Sequence, residues 1–169
     1  MTLSKDARST NLDDAVLILM DNLHGQSAME VFIDERYLDS RILGTTWSQL
    51  KEQSLVRQAN NSRWLYTLSG YGLLHGLKMR GEFDTEETRQ KTGKLAAALK
   101  RRIKSVNREC DQFADVGELT TETGLSQEFI RNAIEASFIE ELFGTRGAEW
   151  DSSGRGRSIR IPNQFGHER

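Results

Sequence analysis

DVGELTTETGLSQEFIRNAIEASFIEELFGTRGAEWDSSGRGRSIRIP, residues 115–162, changes periodicity part-way, and that change decides the fold. Up to Gly144 the apolar residues recur every three or four positions, which is helical spacing; beyond it they alternate, which is strand spacing. The helical part divides in two. A first helix is expected over residues 116–122, followed by a turn in which Gly124 supplies the positive φ that other residues resist. Ser126 then caps a second helix, its hydroxyl accepting a backbone N–H of the first turn. Phe129, Ile130, Ala133, Ile134 and the Phe138–Ile139 pair give that helix one buried face. Residues 148–150 and 158–161 read as strands. The loop between them, Ser152-Ser153-Gly154-Arg155-Gly156-Arg157, is cationic.

Helix, turn, helix and ribbon in this order resemble a winged helix-turn-helix. The resemblance rests on residues 118–126, Glu-Leu-Thr-Thr-Glu-Thr-Gly-Leu-Ser, and on the Gly/Arg wing. It implies a second helix placed in the DNA major groove and a wing lying along the backbone or minor groove. Winged helices also serve as protein-interaction modules, so the outline alone does not choose between the two uses.

Residues 50–57, Leu-Lys-Glu-Gln-Ser-Leu-Val-Arg, lead through a polar Asn60-Asn61-Ser62 tip to residues 66–74, Tyr-Thr-Leu-Ser-Gly-Tyr-Gly-Leu-Leu. This is similar to the wing pattern of bacterial regulators of the MarR and PadR type. The chain departs from that pattern at Ser54, where the families usually carry Gly, and at Ser69, where they usually carry Thr. Upstream, Asn11 is an N-cap with Asp13 and Asp14 in the first turn, where carboxylates favour a helix start. Leu12, Ala15, Val16, Leu19 and Leu23 form its stripe, and Gly25 ends it. A further helix is expected over residues 27–43. Thr46 with Gln49 reads as a capping box opening another, with Trp47, Leu50 and Leu55 facing inward. Trp47, Trp64, Tyr66 and Tyr71 are expected to fill a small core.

Between these regions, Asp84 and Glu87 mark a helix start, and only Gly93 interrupts the helical pattern to about residue 112. Leu95, Leu99, Ile103 and Val106 make a narrow apolar stripe. The rest of its surface is basic, and is read either as a solvated face or, at Arg101, Arg102, Lys104 and Arg108, as a phosphate-binding patch. The expected fold is therefore mainly α with small β-ribbons, an α+β chain of two winged-helix units joined by a long helix. Its divisions are 1–82, a basic linking helix over 83–112, and 113–169.

Composition sets outer bounds. The chain has 169 residues, 28% charged and 37% hydrophobic, enough for a modest core. A net charge of −2 gives no global electrostatic case for nucleic acid, so the local distribution must decide. One cysteine, Cys110, cannot form an internal disulfide and fits a reducing, cytoplasmic setting. The apolar run 15–20 is too short for a membrane span. His24, His75 and His167 lack ligand partners at helical spacing, and Gly70-Tyr71-Gly72 lacks the third glycine of a dinucleotide fingerprint. No metal, cofactor or catalytic residue is expected, and the chain is read as a non-enzyme.

The binding surface is expected on the exposed side of the Ser126 helix, at Ser126, Gln127, Arg131 and Asn132, flanked by Glu128 and Glu135. Arg, Asn and Gln are suited to guanine and adenine edges. Arg146, Arg155, Arg157 and Arg160 would follow the backbone from the wing, or else serve solubility and strand pairing. Two readings remain. One is a transcriptional regulator binding double-stranded DNA, as a homodimer. The other is a protein-interaction module within a larger complex.

Overall fold

The computed structural model describes residues 11–21, 32–59, 63–103, 112–151 and 157–168. Among these lie seven α-helices and two small three-stranded antiparallel sheets, a mixed α+β chain. It divides into two compact units, Met1–Arg80 and Gly81–Arg169.

In the first unit, α1 (Leu12–Asp21) begins where the sequence places it, with the Asn11 side chain accepting from Asp14 N–H at 2.8 Å. The helix expected over 27–43 is replaced, across its described residues, by strand β1 (Phe32–Asp34) and a 3-10 turn, Glu35–Tyr37. Two local features favour this outcome. Phe32 and Ile33 pair with Thr67 and Tyr66 of β3 (Leu65–Leu68), and the Asp34 carboxylate accepts the Arg36 N–H and ends the strand. Helix α2 (Thr45–Glu52) starts at Gly44, which has φ 76° and no side-chain cap. The Thr46–Gln49 capping box is thus not made, because the helix starts too early for Thr46 to stand at its cap.

Strand β2 (Val56–Gln58) pairs with β3, giving the sheet order β1-β3-β2, and α3 (Gly70–Met79) follows with Ser69 as its cap. Gly72 and Gly76 mark close approaches. A Cβ on Gly72 would run into the Leu55 carbonyl, and one on Gly76 into Met20 and Val16 of α1. The core is Val16, Leu19, Ile42, Trp47, Leu50, Leu68, Leu73 and Leu77. Trp47 meets Tyr66 edge-on at 5.1 Å. Of the other aromatics expected inside, Trp64 and Tyr71 are on the surface.

The second unit opens with α4 (Glu86–Ile103). Its cap is Thr85, whose hydroxyl accepts from Thr88 N–H, whereas Asp84 is taken up by Arg89. Leu95, Ala98 and Leu99 are fully buried, and α4 packs on α5 (Val116–Thr123), α7 (Phe138–Phe143) and strand β4 (Gln112–Asp115). The continuous helix expected to residue 112 does not reach it, because Gln112 already pairs with Ile161. Val106 lies outside the described residues.

Asp115 caps α5, and Gly124 ends it at φ 74°. Helix α6 (Gln127–Glu135) is capped by Ser126, which accepts from Phe129 N–H at 3.0 Å. It stops earlier than its apolar pattern: Ser137 takes φ 57°, and Phe138–Ile139 belong to α7. This kink turns Phe138 toward Phe129 and Phe83, at 6.2 and 5.0 Å between centroids. Strands β5 (Glu149–Asp151) and β6 (Ser158–Ile161) complete a sheet of order β4-β6-β5. No described helix is long and apolar enough to cross a membrane.

Candidate nucleic-acid interface

Helix α6 is amphipathic in an extreme way. Glu128, Phe129, Ile130, Asn132, Ala133 and Ile134 are all buried, leaving one partly exposed row at i, i+4 spacing: Gln127, Arg131 and Glu135. Asn132, expected on the exposed face, has 0% exposure, and Glu128 is also inside. The correction has a simple geometric cause. With α5, α7 and β5 all packed on α6, the covered arc is wider than a single apolar stripe. Ser126 is half-buried and its hydroxyl is occupied by the helix cap.

The hairpin joins this row through two contacts. The Arg157 guanidinium donates to Gln127 Oε1 at 2.9 Å, tying the start of β6 to the start of α6. Arg131 donates to Glu135 at 2.7 Å and lies 5.0 Å from the centre of the Trp150 ring. Strand alternation explains why these groups meet. Trp150 stands opposite Ile159 and Ala114 on the core side of the sheet, and Arg157 shares the parity of Ile159. Arg160 has the other parity. It stands in a row with Phe113 and Glu149 on the opposite face, paired with Glu149, and so is not brought together with α6.

On α4 and α5, Glu122 accepts from Arg101 Nε at 2.9 Å and Arg102 Nη1 at 2.6 Å, while Arg102 also approaches Glu118 at 3.5 Å. Hydrogen bonding from Arg102, then from Arg101, holds the Glu122 carboxyl below its ordinary value of 4.5. The cationic patch expected here is therefore locally balanced by acid. Beside it runs an open groove lined by Lys94, Ala97, Arg101, Glu122 and Thr123. Arg146 is exposed, with its backbone bonded to His167 and Gly166. Lys104, Arg108 and Arg155 lie outside the described residues.

The chain matches no family model, curated protein or solved structure.

The structure thus joins Arg157 to Gln127 and, one turn along the same helix row, Arg131 to Trp150. Trp150 was missed as part of this surface. The available signal was its place one residue from a strand end, beside an arginine-rich loop. In the first unit the exposed face of α2 carries Ser48, Gln49, Lys51 and Glu52, a weakly charged surface. His75 is exposed on α3, with Nε2 2.7 Å from Asp13 Oδ1. Among the described residues no group of three His, Cys, Asp or Glu side chains could hold a metal ion.

Proposed function

We propose that the protein is a non-enzymatic DNA-binding regulator built of two winged-helix units, with the second unit on the duplex. The support is the element order: helix, strand, helix, turn, helix, the short helix α7, then a hairpin whose last strand sits between the other two strands of the sheet. In a winged helix, that order puts the third helix and the hairpin loop on one side. One observation carries the assignment, the Arg157–Gln127 bond that joins the start of α6 to the hairpin. A DNA backbone there would meet Arg157 and Arg131 at the positive end of a helix dipole. Arg155, two residues before Arg157 in the sequence, would add a further cation.

Fluorescence anisotropy with a labelled random duplex tests this reading at two salt concentrations. Micromolar binding that falls steeply with salt is expected, because each neutralised phosphate releases counterions. The Arg155→Ala/Arg157→Ala double variant should lower the salt slope by about two and weaken binding at least ten-fold. No binding at low salt would refute the proposal.

A second reading, a tandem winged-helix module docking a protein partner, is favoured by one specific observation. Arg101, Arg102, Arg131 and Arg160 already face carboxylates, so much of the positive charge is spent internally. Flat duplex titrations together with specific co-purification of a partner would select that reading.

A further inference from the structure

The first unit carries a second surface, unrelated to α6. Antiparallel pairing of Asp34 with Leu65 brings the 3-10 turn alongside the residues that enter β3, and the Glu35 N–H donates to the Trp64 carbonyl at 2.9 Å. Four planar groups alternate there. The Arg36 guanidinium carbon lies 5.5 Å from the Tyr37 ring centre and 5.7 Å from that of Trp64, and Arg63 lies 4.8 Å from Trp64. Tyr37 is 79% exposed and Trp64 37% exposed, so neither ring is core. The neighbouring aromatics, Trp47 and Tyr66, are by contrast engaged edge-on with each other, with the Trp47 indole donating to Glu35.

We infer that Tyr37, Arg36, Trp64 and Arg63 form a stacking platform for the unpaired bases of a single-stranded nucleic acid. Exposed rings interleaved with guanidiniums are what base stacking beside a phosphate backbone requires. Arg36 is fixed by Asp34, which accepts from its Nε at 3.1 Å and Nη2 at 2.8 Å. Asp34 thus already occupies the fork that a second carboxylate would need, and because the guanidinium itself lies against Tyr37 and Trp64, a base would stack on the outward sides of those rings. This argues against an acidic peptide. Arg63 pairs with no carboxylate among the described residues, while Asp34 is matched by Arg36 and Glu35 by Lys51, which leaves the Arg63 charge for a phosphate. A duplex would not serve, because its bases are already stacked on one another.

The test uses the full chain and a labelled oligothymidylate of about 16 nucleotides, followed by anisotropy. Micromolar binding is expected, weakened roughly ten- to hundred-fold by Tyr37→Ala and by Trp64→Ala. Trp64→Phe, which keeps a ring, should retain most of it, and near-ultraviolet circular dichroism checks the fold of each variant. Because Tyr37 is so exposed, its replacement gives a readout free of unfolding. Duplex binding should be unchanged in Tyr37→Ala, separating this surface from the duplex-binding one. Absence of binding, or wild-type binding by both alanine variants, overturns the inference. So does a polyglutamate peptide that binds in place of the oligonucleotide and is lost in Tyr37→Ala.

Discussion

Ser54 occupies the left-handed region at φ 58°, at the position where the similar wing pattern carries glycine. A side chain there costs about 1–2 kcal/mol, against roughly 0.5–1 kcal/mol of extra chain entropy lost by glycine on folding. Ser54→Gly should therefore stabilise the first unit by roughly 0.5–1 kcal/mol in urea unfolding, and Ser54→Val should destabilise it by at least as much. The Ser69 hydroxyl bonds the Ser54 backbone carbonyl, which both variants keep. Phe138 shows the opposite sensitivity. It is fully buried between Phe83 and Phe129, so Phe138→Ala should cost about 3–5 kcal/mol and melt the second unit early in calorimetry. At this scale the sequence is readable where a residue acts on its own backbone, as Asn11, Gly124 and Ser126 do. Asn132 was misread because its burial depends on three neighbouring elements that no local pattern describes.

Elements show the same division. Helices α1, α5 and α6 follow from periodicity and caps, since both signals lie within a few residues. Strands β1 and β4 carry no comparable signal. Each is three or four residues long, and the partners lie more than thirty residues away, Leu65–Leu68 for β1 and Ser158–Ile161 for β4. Packing between elements makes two predictions. Gly72→Ala forces a Cβ against the Leu55 carbonyl, so α3 must move away from the residues entering β2, at an expected cost of about 2–3 kcal/mol in chemical denaturation. The α4–α5 pairing should depend on acid. Since the folded Glu122 pKa is lowered, its contribution is present above 4.5 and is lost as the pH falls through the folded value. Stability of the second unit should drop through that window by no more than about 1 kcal/mol, as for an exposed pair. Glu122→Gln should flatten the drop when melting is followed from pH 6 to pH 3.

Across the whole molecule, both units repeat one topological choice: the first strand in sequence takes an edge and the last takes the centre, β1-β3-β2 and β4-β6-β5. The central strand therefore pairs with a strand distant in sequence, a non-local contact of the kind that slows folding. Yet the two surfaces differ in chemistry. The second unit offers Gln127, Arg131 and Arg157 around one partly covered tryptophan, whereas the first offers exposed rings between guanidiniums. The net charge of −2 provides no bulk attraction for a polyanion, so the proposed DNA contact would rest on local groups such as these. An NMR titration of isotope-labelled protein with a short random duplex tests the central claim most directly. Shifts concentrated at Gln127, Arg131, Trp150 and Arg157 that reverse when salt is raised are expected. Shifts absent from these four residues while the duplex binds elsewhere would contradict it.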